Sequence, residues 1–110
     1  MESPAVSSSF QAFLSEAPEE SNAWMKMVRE LGNASALDHK TAELAYLAVL
    51  AALRLESGIP FHVQMARQAG ASRQEVVSSL LVGLPAAGHA VLQVLPAALR
   101  AYDGESETSL

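Results

Sequence analysis

Two side chains in the middle of the chain have the chemistry for proton transfer. His62 lies just after Pro60, and an imidazole is well suited to give and take protons near neutral pH. Glu43 stands at the start of a long apolar stretch, where a carboxylate must be solvated, paired or functional because an unpaired buried charge is costly. These are the candidate catalytic residues. Structural roles stay open for both residues. His62 could simply bond to a carbonyl group or to water, and Glu43 could stabilise a helix N-terminus or pair with Arg54 or Arg67.

Two further polar residues are candidates for contacts with a substrate. His89 follows Gly88 in a stretch interrupted by glycine and proline, where a side chain can approach a pocket or simply cap a helix. Glu56 precedes Gly58 at a chain break and is a possible second carboxylate. The three histidines lack metal-ligand spacing such as H-x-x-x-H. The sequence therefore predicts no metal site, and no phosphate-binding glycine loop is present either.

The composition limits the fold and excludes several kinds of chemistry. The chain has 110 residues, enough for one domain with a real core, and half of them are hydrophobic. Aromatic residues make up only 5%, and the apolar residues are mainly Ala, Leu and Val, which favours close-packed helices over a β-sandwich. No cysteine is present, which excludes disulfides, zinc–thiolate sites, iron–sulfur clusters and thiol peroxidase chemistry.

The charge pattern argues against nucleic acid and membrane as partners. The net charge of −5 arises at the two ends, while residues 21–102 are weakly positive and contain no basic stripe. The longest uncharged apolar run, Leu44 to Leu53, is about half of what a bilayer requires. The start of the chain lacks the features of a signal peptide. We therefore expect a cytoplasmic protein that binds neither nucleic acid nor membrane.

Apolar spacing and capping residues predict an all-α fold, and no period-2 strand pattern is present. Caps are expected at Ser7–Ser9, at Asp38, and at Ser72, which forms an S-x-x-E capping box with Glu75. Six helices are predicted. The first three are a short one with Phe10, Phe13 and Leu14, a second from Pro18 to Leu31 that ends at Gly32-Asn33, and a third from His39 to Arg54 or Glu56. The others run from Pro60 to Gln68, from Ser72 onward, and from Ala86 to Tyr102 with a bend at Pro96.

The third of these helices is apolar all round. Residues 44–53 contain no polar face, so this helix must be buried on all sides, either within the domain or with help from another subunit. A second apolar segment, from Val76 to Leu99, adds more apolar surface than a chain this short can cover. Since large exposed apolar patches mark interfaces, the sequence predicts a homo-oligomer.

Several motifs resemble the carboxymuconolactone decarboxylase and AhpD-like superfamily. Residues 37–44, LDHKTAEL, are similar to its "LD-x-K-T-x-E-L" opening, and residues 69–76, AGASRQEV, to its "AGA-[ST]-x-EE-[IV]". The stretches 80–82 and 85–88 fit its next helix. The resemblance covers about residues 20–102 and implies an AhpD-like domain of about six helices that assembles into trimers or hexamers.

The residues and the resemblance together predict three regions of the chain. Residues 1–17 are expected to be an N-terminal extension with a short helix, and residues 103–110 a disordered tail. The resemblance implies a carboxymuconolactone decarboxylase-like domain over residues 18–102.

The two branches of the superfamily differ at the positions that precede the histidine. The peroxidase branch reads E…C-x-x-C-x-x-x-H; Glu43 and His62 keep its separation, but Leu55 and Gly58 occupy the cysteine positions. Thiol peroxidase activity is therefore excluded. The decarboxylase branch lacks the cysteines and tends to have Arg and Glu at these positions. By resemblance to it, His62 is the proton donor and Glu43 orients the imidazole or the substrate.

The resemblance and the residues together predict a cofactor-independent lyase or proton-transfer enzyme that acts on a small carboxylated or lactone metabolite. An apolar pocket lined by Leu50, Phe61 and Leu84 would hold the substrate, with His89 and Glu56 as further contacts. The alternative is a non-catalytic, oligomeric ligand-binding member of the fold, which the changes at 55 and 58 favour. An enclosed polar pocket that contains His62 and Glu43, within hydrogen-bond reach of each other or of one shared ligand, would favour the enzyme. A His62 that faces open solvent would favour the binding protein.

Overall fold

The computed structural model describes residues 6–105, which form helices joined by short turns, with no strand in that range. Six helices have eight residues or more and α6 is a single turn, so the predicted all-α fold of about six helices is confirmed. None of these helices has the length and apolar character needed to cross a membrane. The elements are α1 Ser8–Glu16, α2 Pro18–Ala34, α3 His39–Ala52, α4 Ile59–Gln68, α5 Arg73–Leu80, α6 Leu84–Ala87 and α7 Leu95–Asp103, with 3₁₀ turns η1 Glu56–Gly58 and η2 His89–Val94.

Side-chain caps fix the start of three helices, as the sequence predicts. The Ser7 hydroxyl accepts a hydrogen bond from the Phe10 N–H at the start of α1. Asp38 accepts one from the Thr41 N–H (2.8 Å), and hydrogen bonding by the Thr41 side chain and then by its backbone lowers the pKa of the Asp38 carboxyl. The capping box before α5 is complete in both directions. These caps satisfy backbone N–H groups that have no partner within their own helix.

Two helix ends differ from the prediction. Helix α2 continues through Gly32 to Ala34, because this glycine does not adopt the left-handed conformation that closes a helix. Helix α3 ends at Ala52, before Arg54. There Arg54 adopts a left-handed conformation (φ 59°), and the Leu55 N–H bonds to the Leu50 carbonyl, which closes the helix.

The continuous last helix predicted for residues 86–102 is wrong. Gly88, at φ 82°, ends the single turn α6, and the following six residues form η2. Pro96 then lies in the first turn of α7, where its missing N–H removes no helical hydrogen bond. The proline therefore starts a helix in this chain and does not bend one.

The core forms where α3 packs against α4, α5 and η2, and where α4 packs against α7. Its largest fully buried side chains are Leu47, Ile59, Leu80, Val63, Val76, Val91 and Val94. One face of α3 stays outside this core: Tyr46, Val49 and Leu53 are about half exposed. The prediction that its own domain buries α3 on all sides is therefore wrong. The alternative, that another subunit covers the exposed face, stays a prediction.

The end of α7 is tied to the α4–α5 turn. The Tyr102 hydroxyl donates a hydrogen bond to the Ala71 carbonyl (2.8 Å). Arg73 donates two bonds to the Asp103 carboxylate, each 3.0 Å, and they lower the pKa of that carboxyl. Asp103, the first residue of the predicted disordered tail, is thus the last residue of a helix. Residues 106–110 of that tail lie outside the described residues.

Helices α1 and α2 form a hairpin beside this core. Three aromatic rings join them: Trp24 lies edge-on to Phe10 and Phe13, with ring centroids 5.4 and 6.2 Å apart. The main packing partner of α2 is α1, and Ser21 is its one buried residue. Much of its apolar stripe is therefore exposed, including Met27 and Leu31. The two helices of the hairpin therefore pack mainly on each other and little on the rest of the chain.

Candidate active site

The two candidate catalytic side chains are in direct contact. The His62 Nδ1 atom lies 2.9 Å from Glu43 Oε1, joining α4 to α3. The side chains are 26% and 20% exposed, so they are shielded but reachable. Glu43 bonds to the His62 imidazole and not to an arginine. Arg67, one of the two arginines considered as its partner, lies over the Tyr102 ring, 5.3 Å from the ring centroid.

This contact decides which imidazole nitrogen is left for a substrate. A carboxylate accepts hydrogen bonds and does not donate them, so a tautomer of His62 with its proton on Nδ1 makes this contact a hydrogen bond. Nε2 is then the nitrogen that can accept or deliver a proton elsewhere. A carboxylate behind the ring also stabilises the imidazolium that forms when Nε2 takes a proton. The pair has the arrangement of a general acid–base group with a positioning carboxylate.

Two aromatic rings restrict the movement of the imidazole. The Tyr46 ring centroid lies 4.6 Å from that of His62, and the Phe61 ring lies edge-on at 5.2 Å. Sequence reasoning missed Tyr46. The available signal was its spacing from Glu43, since residues three apart share one face of a helix.

A cavity of about 260 Å³ opens beside His62, between the α1–α2 hairpin on one side and η1 and α4 on the other. Most of its wall is apolar and aromatic. Among the described residues, no Lys, Arg, Asp or Glu lines it. The lining residues are Val6, Ser7, Phe10, Trp24, Met25, Val28, Ser57, Gly58, Phe61 and His62.

Of the apolar lining predicted from sequence, only Phe61 forms part of this wall. Leu50 is buried in the core, and Leu84 packs against the same core. Glu56 is exposed, and His89 is exposed at the start of η2, which packs mainly on α3, α5, α6 and α7. The structure does not bring these four residues to the cavity, and substrate contacts by them stay a prediction. The helical spacing of apolar residues in the sequence does not show that residues of the α1–α2 hairpin, and not these four, line the cavity.

Gly58 lies in the cavity wall with a backbone that any residue can adopt (φ −87°). A Cβ atom built there would meet the Leu50 methyl groups at 3.5 and 3.6 Å, which is ordinary contact. We therefore expect Gly58→Ala to raise the free energy of unfolding by about 0.4–1 kcal/mol, because the unfolded chain loses freedom. Thermal and urea unfolding measure it. The matched control is Gly88→Ala, which should destabilise because φ is 82° there, although the space is open. A destabilised Gly58→Ala protein would contradict the expectation.

Within residues 6–105, no three potential metal-ligating side chains come together. The prediction that the chain works without a metal or cofactor stays a prediction.

Comparison with known proteins shows what the chain as a whole is similar to. A model of the carboxymuconolactone decarboxylase family matches residues 18–101. The structure is similar to the crystal structure of an apo carboxymuconolactone decarboxylase family protein from Legionella pneumophila, with a TM-score of 0.75 and 27% identity. That similarity covers 90% of this chain and 88% of the other. No curated protein sequence matches this chain. Helix α1 precedes the segment that the family model matches.

Proposed function

The chain belongs to the carboxymuconolactone decarboxylase family, and from this premise we propose that it is a cofactor-independent proton-transfer enzyme of the lyase type. Its substrate is a small carboxylated or lactone metabolite. His62 is the general acid–base, and Glu43 holds its imidazole. The proposal rests on one observation above all: the 2.9 Å contact between Nδ1 and Oε1, made by a histidine in the wall of a cavity.

The chemistry common to these substrates is proton transfer at a carbon conjugated with a carbonyl group. Loss of a proton or of carbon dioxide from such a carbon leaves an electron pair delocalised onto the carbonyl oxygen as a dienolate. His62 Nε2 returns a proton to carbon, or removes one in the reverse sense, and Glu43 stabilises the charged imidazolium meanwhile. The wall beside the imidazole is mostly apolar, so few protein groups compete with a substrate for its proton.

The second candidate function is that of a non-catalytic ligand-binding protein. Leu55 and Gly58 favour it, because they replace the residues that both branches of the superfamily use. The Glu43–His62 contact favours the enzyme, since it orients an imidazole in the cavity wall and leaves its Nε2 atom for a substrate.

A screen of small carboxylic acids and lactones separates the two candidates. Ligands are found by the rise in melting temperature that they cause, and each is then followed by proton NMR in deuterated water. An enzyme converts the ligand or exchanges its carbon-bound protons for deuterium. Ligands that raise the melting temperature without conversion or exchange would support the binding protein and reject the enzyme.

We further propose that the chain assembles with copies of itself into a trimer or hexamer. The support is exposed apolar surface on α2 and α3, where the side chains of Leu31 and Leu53 are 63% and 61% exposed. Light scattering at micromolar concentration should give a multiple of the 11.6 kDa chain. Leu53→Asp should weaken the assembly, whereas the control Gln74→Asp, at an exposed polar position on α5, should not. A monomeric wild-type protein would contradict the proposal.

A further inference from the structure

We propose that the cavity beside His62 takes an uncharged, compact, apolar molecule with one carbonyl oxygen, and that it discriminates against carboxylates. This inference rests on the proposed function and narrows its substrate class to lactones and related neutral carbonyl compounds. The α1–α2 hairpin determines this specificity, because Phe10, Trp24 and Val28 form the wall opposite His62.

The cavity's size sets the size of the ligand. A cavity of about 150 Å³ lined by apolar side chains is enough for a benzene molecule. By that scale the 260 Å³ here suits a molecule of roughly ten non-hydrogen atoms. That is the size of a small bicyclic lactone.

The charges around the cavity argue against an anionic ligand. No lysine or arginine lines the cavity among the described residues. Of the lining residues that the structure describes, His62 is the one whose side chain can become cationic, and the Glu43 carboxylate already balances that charge at 2.9 Å. A carboxylate entering the cavity would lose its hydration and would meet hydroxyl donors but no unbalanced positive charge, which is costly.

The polar groups in the wall suit one carbonyl oxygen. Ser7 uses its hydroxyl oxygen to accept the Phe10 N–H bond at the start of α1. Ser7 and Ser57 also line the cavity with hydroxyl groups that can each donate a hydrogen bond, and Nε2 of His62 donates one once the imidazole is protonated. The Phe10 and Trp24 rings are held edge-on, 5.4 Å apart, and offer flat surfaces to a planar ring. A few polar groups in an apolar wall orient a neutral ligand.

Trp24 is the one tryptophan of the chain and lines the cavity, so its fluorescence reports binding there. The full 110-residue protein is titrated with phthalide, a neutral aromatic lactone, and with phenylacetate, a carboxylate with the same number of non-hydrogen atoms. Calorimetry of the same titrations checks the fluorescence. We expect saturable binding of phthalide and at least about tenfold weaker binding of phenylacetate, given the cost of burying an unpaired carboxylate. Equal or tighter binding of phenylacetate, or no saturable binding of phthalide, would overturn the inference.

Three variants test whether the binding is in this cavity. Val28→Phe fills the space from α2 and should lower phthalide affinity at least about tenfold. Its control, Ala23→Phe, adds the same ring at an exposed position of α2 outside the cavity wall and should bind as the wild type does. Ser57→Lys supplies the missing cation and should raise phenylacetate affinity. Circular dichroism confirms that each variant is folded. Unchanged phthalide affinity in a folded Val28→Phe protein would place the binding elsewhere and reject the proposal.

The experiments distinguish an error in the proposed ligand class from an error in the proposed function. These titrations measure binding and require no turnover. An enzyme that turns over carboxylates but rejects phthalide would overturn the ligand class and keep the role of His62. A protein that binds phthalide as expected, but exchanges no protons with any ligand, would keep the ligand class and remove the catalytic role.

Discussion

His62→Ala is expected to lower turnover by about 10²–10⁴-fold, the usual contribution of a general acid–base group, while the protein stays folded. Alanine cannot transfer a proton, and His62 lies outside the buried apolar cluster, so its removal takes little from the core. Glu43→Gln should be milder if Glu43 only orients the imidazole, and comparably severe if it also transfers a proton. Turnover is followed by proton NMR on the best ligand from the screen, and folding by circular dichroism and melting temperature.

The control for this experiment is another histidine of the same chain. His39 is exposed at the start of α3, so His39→Ala should retain normal turnover. A purely structural role for the Glu43–His62 contact predicts the opposite pattern in the site variants, with a lowered melting temperature and normal activity per folded molecule. Normal turnover by the His62→Ala protein would remove the site hypothesis.

Leu47→Ala is expected to lower the free energy of unfolding by about 2–5 kcal/mol, the range for truncation of a fully buried leucine. Leu47 is 0% exposed in the middle of α3, where α4 and α5 pack against that helix. The loss combines the transfer free energy of the removed methyl groups with the cost of the cavity left behind. Urea unfolding at one fixed protein concentration measures the change, because assembly with other copies would make stability depend on concentration.

Gln74→Ala is the matched control for the core variant. Gln74 is an exposed polar residue of α5, and substitutions at such positions usually change stability by less than about 0.5 kcal/mol. A Leu47→Ala protein that loses less than about 1 kcal/mol would contradict the packing of α3 at the centre of the core, because a cavity of that size is always felt in a close-packed interior.

The helix starts could be predicted because capping is local chemistry. Ser7, Asp38 and Ser72 each accept a bond from an N–H group three residues further on, and their spacing is visible in the sequence. Helix ends were harder. Arg54 ends α3 in a left-handed conformation that nothing in its residue type requires, and Pro96 is equally compatible with a bend or a start. Packing against neighbouring helices decides between such alternatives.

The candidate pair of Glu43 and His62 could be anticipated from the sequence, whereas the cavity wall could not. A glutamate and a histidine have chemistry that stands out against an apolar stretch, and the structure places the two side chains 2.9 Å apart. Phe10 and Trp24 have the same residue types and spacing whether they pack a hairpin or line a cavity. Their position depends on how the hairpin lies against α4, which is a long-range property. The same reason explains why Leu50 is a core residue and not a lining one.

Helix α1 has a consequence for how this protein can change over evolutionary time. It has no buried residue, yet Phe10 on it, with Val6 and Ser7 just before it, lines the cavity. Mutations there alter the shape of the cavity at little cost in stability, whereas Glu43 and His62 are on helices that build the core. The cavity wall and the Glu43–His62 pair can therefore diverge independently. New specificities can arise in this short N-terminal segment before any compensating change in the interior is required.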